Sequence, residues 1–372
     1  MKIDRKTFVK GLALGTISLP VFLRGCLNEN FAQKDSLPGS LSNERYKWKM
    51  VTTWPPNYPI LGEACNLFAK LVNEMSGGRM EIHVYGGGEL VPALETFDTV
   101  RNGGAEMGSG AAYYWAGKIP AAQFFSTVPF GMNAQQMTTW LAAGGGLELW
   151  EELYAQYNLV PMPGGNSGVQ MGGWFNKEIN SIDDLKGLKM RIPGLGGKVL
   201  EKAGGSAVLL AGGELYTGLE RGIIDAAEWL SPFHDYSMGF QEIAKYYYAP
   251  GWHEPGTSLE FILNKEKFDA LPQDLQAIIK AAGWQAHLYV FTQMEAKNGE
   301  YLGILKDAGV DIRFFPQEVL DQLRIYTREV IEELVAQDDF AQKVYSSYQA
   351  FSKKAAAWSE FSEKAYYNTL QE

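Results

Sequence analysis

The sequence predicts an α/β protein whose mainly parallel β-sheets are covered by helices on both faces. Strand-like and helix-like segments alternate from residue 46 to 111, and a second alternating set begins near residue 159. Such alternation is typical of parallel sheets, because each parallel connection needs a crossover. The chain has 372 residues, enough for about two domains of ordinary size. We therefore expect two lobes.

The first alternating set predicts three strands and two helices. Strands are expected at residues 48–53, 80–85 and 105–111, and helices at 60–75 and 92–102. The first helix has apolar residues at helical spacing and stops at Gly77-Gly78. These segments form most of the predicted lobe I.

The second set predicts the other lobe and a return of the chain to the first. Strands are expected at residues 169–176, 188–192, 207–210, 257–264 and 310–315, with short helices at 196–203 and 214–218. We predict lobe I from residues 46–158 and about 257–315, and lobe II from residues 159–256. Residues 316–372 are predicted to form C-terminal helices.

The last helical stretch carries an apolar face. Its apolar residues recur at spacings of three and four, at Val344, Tyr348, Phe351, Ala355, Trp358, Phe361 and Ala365. One interpretation is a helix that packs on its own chain. The other is a protruding helix that pairs with a second subunit, which so much aromatic area at a chain end favours.

The first 26 residues predict export from the cytoplasm. Four basic residues precede an apolar stretch at 11–23, shorter than the about 20 residues that cross a bilayer. Residues 4–10 resemble a twin-arginine signal with a lysine in place of one arginine. Cys26 lies in a sequence that resembles a lipobox, so either lipidation at Cys26 or cleavage a little later is expected. Residues 27–45 are predicted to be a flexible tether.

Cysteine usage and charge narrow the function classes. Cys65 lies in an apolar helical pattern, which predicts a buried structural thiol and no disulfide. The formal net charge is −10, and removal of residues 1–26 leaves about −14. A chain this acidic offers no basic face to phosphates, so no nucleic acid is expected as a partner.

The motifs of common enzyme classes are missing from the sequence. It contains no zinc pattern, P-loop or nucleophile elbow. The four histidines, His83, His234, His253 and His287, have no second histidine at ligand spacing. The glycine-rich stretches 86–88 and 194–198 lack the spacing of a dinucleotide fingerprint and indicate turns at helix starts. The chain is therefore not expected to be an enzyme.

Polar residues at strand ends in the middle of the chain suggest a carboxylate site. Arg191 ends a short apolar strand before Pro193-Gly194, and its planar fork of donors matches a carboxylate. The alternative is a surface arginine paired with a nearby acid. Glu228 lies between apolar residues, where burial costs several kcal/mol unless the charge is paired. It is either part of a structural salt bridge or a ligand or metal contact.

Several blocks in order then resemble the substrate-binding subunit of tripartite ATP-independent periplasmic (TRAP) transporters. The blocks typical of the family are GLKMR at 187–191 and LERGIIDA at 219–226. Further blocks resemble its 2-oxo-acid-binding branch: GNSGVQMGGWF at 165–175, AGGELY at 211–216, YYY at 246–248 and PGW at 250–252. The resemblance implies a two-lobed, periplasmic-binding-protein-like (type II) fold with a long C-terminal helix. That helix can be exchanged in a homodimer.

The resemblance also implies a function and a cation. Arg191 would clamp the carboxylate of a small 2-oxo or 2-hydroxy monocarboxylate such as pyruvate. The side chains of Gln170 and Glu228 and the backbone oxygen of Trp229 would hold a cation that bridges ligand and protein. Oxygen ligands suit Na⁺ or, as the alternative, Ca²⁺. The ligand would be handed to the integral membrane permease subunits in the periplasm. A ligand-binding sensor, or an enzyme on the same scaffold, is the other hypothesis.

The remaining ligand contacts implied by the resemblance come from both lobes. Glu254 matches a further ligand-contacting acid, and Gln170 and Trp229 would touch the ligand too. Lobe I would contribute the strand end Ser109-Gly110-Ala111 together with Tyr114. That segment carries smaller residues than the branch does, which leaves room for a larger ligand tail. Asn166 either lines the same cleft or forms a turn.

Overall fold

The computed structural model of the chain describes residues 44–370, which contain two β-sheets covered by helices. The predicted α/β two-lobed fold is confirmed. The predicted export segment with Cys26, and the tether up to residue 43, lie outside the described residues. The strands are β1 (Tyr46–Thr52), β2 (Met80–Tyr85), β3 (Met107–Gly110), β4 (Leu159–Asn166), β5 (Gly173–Phe175), β6 (Lys189–Arg191), β7 (Ser206–Val208), β8 (Ala226–Ala227), β9 (Tyr246–Ala249), β10 (Ser258–Asn264) and β11 (Asp311–Phe314).

Helices make up much of the rest of the described chain. The α-helices are α1 (Leu61–Met75), α2 (Thr96–Arg101), α3 (Gln123–Ser126), α4 (Ala134–Ala143), α5 (Gly146–Ala155), α6 (Gly194–Lys202), α7 (Leu215–Glu220), α8 (Pro232–Ser237), α9 (Lys265–Asp269), α10 (Gln273–Asp307), α11 (Gln317–Gln337), α12 (Asp339–Ser359) and α13 (Glu363–Asn368). Short 3-10 helices lie at Ala93–Glu95, Ala112–Trp115, Pro120–Ala122, Ile182–Leu185, Gly212–Glu214 and Phe240–Glu242. Across residues 44–370, none of these helices has the length and apolar content of a membrane span.

The first sheet has the strand order β2-β1-β3-β10-β4. β1 pairs in parallel with β2 and β3, so these three strands end at the same edge of the sheet. β10 is antiparallel to both β3 and β4. Helix α1 covers this sheet with Phe68 and Val72, and it buries Cys65 as predicted. Burial raises the pKa of the Cys65 thiol to about 12.

The second sheet has the order β11-β9-β5-β8-β6-β7 and carries the candidate site. β6 lies parallel to β7 and β8, with Arg191 opposite Ala227. Because parallel neighbours end at one edge, the last residue of β6 and the residue after β8 are adjacent there. This register brings Arg191 next to Glu228.

The strand pairing differs from the predicted lobe boundaries at two places. β4 begins at Leu159, where lobe II was predicted to start, yet it pairs with β10 in the first sheet. β11 was assigned to lobe I, yet it pairs with β9 in the second sheet. The strand predicted at residues 169–176 begins only at Gly173. Pairing decides sheet membership, and a local apolar pattern carries no information about its partner.

The C-terminal helices predicted at residues 316–372 are present as α11, α12 and α13, but the apolar face predicted along the last helical stretch is interrupted. α12 ends at Ser359, so Phe361 lies between two helices and the expected continuous face is broken. The first half of that face packs on the chain itself, with Val344 and Tyr348 buried and the Met132 N–H donating to Tyr348 Oη over 2.7 Å. The second half is exposed, including Trp358 at 66% and Phe361 at 83%.

Glu260 is a fully buried acid in the middle of the first sheet. Trp115 Nε1 donates to its Oε1 over 2.5 Å, and Tyr154 Oη donates to its Oε2 over 2.9 Å. Burial raises the pKa of Glu260 to about 7, although both hydrogen bonds lower it. Since the folded state then binds the proton more tightly, this group's contribution to stability is complete below about pH 4.3 and is lost as pH rises through 7.

We therefore expect Glu260→Gln to flatten the pH dependence of stability. The neutral amide fills the same space and titrates at no pH in this window, whereas the parent loses stability between pH 5 and pH 8. Urea unfolding at both pH values measures the difference. The exposed Glu81→Gln serves as the control and should keep the parent's slope. An unchanged slope in Glu260→Gln contradicts the prediction.

Candidate functional site

Arg191 is the centre of a buried polar cluster at the end of β6. The residue is only 1% exposed. Its Nη1 donates to the backbone oxygen of Glu228 over 2.9 Å and also contacts the Glu228 carboxylate. The surface-arginine alternative is thus wrong, because neither partner reaches solvent. The structural salt bridge considered for Glu228 is present.

The rest of the Arg191 guanidinium is held from both lobes. Nε donates to the backbone oxygen of Leu210 over 3.4 Å, and Nη2 donates to Tyr114 Oη over 3.4 Å. The guanidinium carbon lies 5.0 Å from the centroid of the Trp229 ring. Burial alone would lower the pKa of Arg191, but the charge of Glu228 and the nearby tyrosines raise it. The guanidinium is therefore charged and fixed in direction.

Glu228 faces a histidine on its other side. His253 Nε2 lies 3.3 Å from Glu228 Oε2. Burial raises the pKa of Glu228 to about 7, although Arg191 lowers it. Burial lowers the pKa of His253 to about 4, so the ring is neutral at neutral pH. The ion pair in this cluster is therefore Arg191 with Glu228.

Gln170 and Glu254 form the other half of the cluster. Gln170 Nε2 donates to Glu254 Oε2 over 2.6 Å and to Ser167 Oγ over 3.0 Å. Thr257 Oγ1 donates to the same Glu254 oxygen over 2.6 Å. Burial and the charge of Glu228 raise the pKa of Glu254 to about 7. Gln170 Oε1 is buried and accepts no hydrogen bond within the described chain.

The donor set fits a hard cation. Glu228, His253 and Glu254 offer ligand atoms that lie within 4.8 Å of one another. The unpartnered Gln170 Oε1 adds a further oxygen, and a buried acceptor without a partner costs about 1–3 kcal/mol. Of the two carboxyl groups, only Glu228 forms a salt bridge with Arg191 among the described residues, so an added cation would balance the charge of Glu254. Carboxylate and amide oxygens suit Na⁺ or Ca²⁺.

Trp229 is fixed from the first lobe. Its Nε1 donates to Tyr58 Oη over 2.7 Å. The Tyr58 ring stacks on His234, whose Nε2 lies 3.0 Å from the backbone oxygen of Pro59. His234 therefore helps to position Trp229 through Tyr58. Nothing in the spacing of Tyr58 pointed to this role.

The other lobe I residues predicted for the site have different surroundings. Tyr114 reaches Arg191 as described, whereas Ser109 Oγ accepts from Trp54 Nε1 over 3.1 Å. Gly110 packs so closely that an added Cβ would lie 3.1 Å from Thr53 Cγ2, and Ala111 is fully buried beside it. The residues at this strand end therefore contribute close packing, and Tyr114 contributes the polar contact to Arg191.

Asn166 has both ends of its side chain engaged. Its Oδ1 accepts from the Gly168 N–H over 2.9 Å, and its Nδ2 donates to the backbone oxygen of Gly256 over 3.2 Å. This geometry matches the turn alternative, because the side chain joins the end of β4 to the segment before β10. The same turn positions Gln170.

Two contacts at the start of α6 had no role in the sequence prediction. Gly194 has φ +57°, and an added Cβ would lie 2.9 Å from the Cβ of Tyr113. An added Cβ on Gly196 would lie 2.9 Å from the Cβ of His253. Glycine is therefore needed for the helix start to approach both lobes. The adjacency of His253 to Glu254 in the sequence is a signal that could have placed it near the site.

A buried arginine and acid cluster at the junction of two α/β lobes defines a ligand-binding protein for small acids. Residues 50–338 match the model of a protein family described as "Bacterial extracellular solute-binding protein, family 7" (DctP). The chain belongs to this family of TRAP transporter solute-binding proteins. The resemblance found in the sequence is thus confirmed.

Individual relatives agree with this assignment. The chain is 42% identical over 333 residues to the "Monocarboxylate 2-oxoacid-binding periplasmic protein" of Nostoc sp., covering 90% of this chain and 91% of the relative. It is 44% identical to a TRAP periplasmic solute-binding protein from Colwellia psychrerythraea with bound calcium and pyruvate, with TM-score 0.85, covering 88% and 100% of the two chains. It is also 44% identical to one from Pseudoalteromonas atlantica with bound sodium and pyruvate, with TM-score 0.86 and the same coverage.

We expect Glu228→Gln to lower the free energy of unfolding by about 3 kcal/mol, because it leaves the buried Arg191 charge without its partner. Urea unfolding in the absence of added acid or cation measures this change. Glu152→Gln removes the half-exposed partner of Lys343 and should cost no more than about 1 kcal/mol. Equal losses of unfolding free energy in the two variants would show that the buried ion pair contributes no more to stability than an exposed one.

Proposed function

We propose that the chain captures a small 2-oxo or 2-hydroxy monocarboxylate, of which pyruvate is the simplest, and delivers it to membrane permease subunits. The observation that carries this proposal is the buried Arg191, directed by Glu228 and Tyr114 and surrounded by oxygen ligands. A guanidinium that is already fixed loses little conformational entropy when it binds a carboxylate. Its charge also favours anionic over neutral solutes. The pyruvate-bound relatives support the choice of ligand.

In this proposal a cation bridges the acid and the protein. Gln170 and Glu228 would hold it through side-chain oxygens and Trp229 through its backbone oxygen. When bound, the ion supplies positive charge to the ligand's carboxylate and 2-oxo oxygens. Glu254 orients Gln170 through their 2.6 Å hydrogen bond and supplies a second negative charge nearby. Calcium and sodium in the two relatives leave both ions as candidates.

The same proposal makes the chain a carrier and not an enzyme. The functional groups of the cluster are carboxyls, an amide, a guanidinium, a neutral imidazole and hydroxyls, of which Thr257 Oγ1 donates to Glu254 and Ser167 Oγ donates to the backbone oxygen of Gly168. The thiol of Cys65 lies in the α1 core, where burial raises its pKa to about 12. We place the mature chain in the periplasm, as for its family, either free or anchored through a lipid on Cys26. Mass spectrometry of the mature N-terminus separates these two forms.

We also infer a homodimer through the C-terminal helices. The exposed apolar side chains of α12, α13 and their junction are large and adjacent in sequence: Trp358, Phe361, Tyr366, Tyr367 and Leu370. Their exposed fractions run from 58% to 83%, an area that a second copy would cover. Light scattering should report a dimer for the parent and a monomer for a chain truncated after residue 357.

Arg191→Ala should lose about 3 kcal/mol of pyruvate affinity, roughly a hundredfold, because the ligand carboxylate loses a desolvated charged partner. Isothermal titration with pyruvate in calcium-containing buffer measures the change. Arg101→Ala, an exposed arginine of α2, is the control and should bind like the parent. Parent-like affinity in Arg191→Ala would rule out the clamp.

Removal of the cation should weaken pyruvate binding at least about tenfold, since the ion's charge is part of the binding energy. The titration is repeated after chelation in sodium-free buffer, and then with calcium or sodium added back. Gln170→Leu should bind weakly in every buffer, because leucine has no side-chain oxygen to offer the ion. Unchanged affinity in the stripped parent would show that no cation takes part.

A further inference from the structure

A basic groove lies on the outer surface between α11, α12 and the loop at residues 128–131. Its volume is about 340 Å³. The floor is apolar and aromatic, with Phe130, Ile331, Tyr345 and Tyr348. The rim carries three exposed cations, Arg324, Arg328 and Lys353. We call this surface the α11–α12 groove.

The rim cations lack acidic partners. Within residues 44–370, none of the three forms a salt bridge, although the whole chain has a net charge of −10. Arg324 and Arg328 are four residues apart on α11, so their like charges lie on one helix face and repel each other. A bound anionic group would relieve the repulsion.

The α11–α12 groove is connected to the ligand site through one residue. Phe130 has φ +55°, a conformation that a bulky residue rarely adopts. Its N–H donates to the backbone oxygen of Trp252 over 2.8 Å, and its ring stacks on that of Trp252 at 5.7 Å. Arg324 lies 4.3 Å from the centroid of the Phe130 ring. Trp252 directly precedes His253 and Glu254 of the acid cluster, so the groove's floor is attached to the ligand site.

We propose that the α11–α12 groove docks an acidic, protruding segment of the membrane permease. The positive rim is complementary to carboxylates on a partner. The aromatic floor is complementary to an apolar side chain beside those carboxylates. The groove is concave, so a protruding protein segment can reach its floor, whereas a flat bilayer surface would meet only its rim. The proposed function enters only in naming the permease as the partner.

Adjacent lysines on α12 provide a matched test. Lys353 lines the groove, whereas Lys354 is equally exposed but is outside it. Full-length Lys353→Glu, Lys354→Glu and Arg324→Glu/Arg328→Glu proteins are compared with the parent for docking to the permease in nanodiscs. Biolayer interferometry at low and high salt gives each Kd, and titration with pyruvate checks the ligand site of each variant.

We expect Lys353→Glu and the double arginine variant to weaken docking about tenfold or more, with Lys354→Glu within about twofold of the parent. Docking of the parent should weaken with salt, because rim charges are screened. Pyruvate affinity should stay unchanged in Lys353→Glu and Lys354→Glu, since the rim contact to Phe130 comes from Arg324. If the parent does not bind pyruvate, the proposed function is refuted. The docking measurements would still show whether the α11–α12 groove binds the permease.

Three results would overturn the inference. The first is parent-like docking, or no docking by the parent at all. The second is an equal loss in Lys353→Glu and Lys354→Glu, which would indicate general charge effects. The third is binding of the parent to phosphatidylglycerol-containing vesicles without permease, abolished by Lys353→Glu, which would make a lipid surface the partner.

Discussion

Burial of the Arg191 and Glu228 ion pair is the constraint on which the site depends. Each charge is too costly to bury alone, so each must find the other in the fold. The parallel register of β6 and β8 meets this requirement, because it places both groups at one sheet edge. Tyr114 and Trp229 then close the remaining sides of the guanidinium. The direction of the clamp is thus set before any ligand arrives.

The second carboxyl group makes the cluster incomplete without a further charge. Within the described residues Arg191 forms a salt bridge with Glu228 and none with Glu254, and burial raises the pKa of both carboxyl groups to about 7. A cation relieves this imbalance and uses the unpartnered oxygen of Gln170. Binding of the ion and binding of an anionic acid therefore support each other electrostatically. The arrangement suits a carrier, which must hold a small anion without reacting with it.

The lobes contribute different kinds of contact to this cluster. The second sheet supplies the charged groups, while the first supplies Tyr114, Tyr58 and the small residues at the end of β3. Gly194 and Gly196 let the start of α6 approach Tyr113 and His253, which closes the space between the lobes. Phe130 and Trp252 extend the same network to the surface. The proposed ligand site and the proposed docking groove are therefore adjacent in the structure.

The α/β class, most element positions and the family could be predicted from the sequence, because periodicity and motif blocks are local. Arg191, Gln170 and Glu228 were identifiable from strand ends and matched blocks. Sheet membership of β4 and β11, the break after Ser359 and the support from Tyr58 and His253 were decided only by tertiary structure. These features depend on pairing between distant segments, and a single acidic or aromatic residue does not reveal its partner. Burial of Arg191, which excludes a surface salt bridge, was likewise visible only in the tertiary structure.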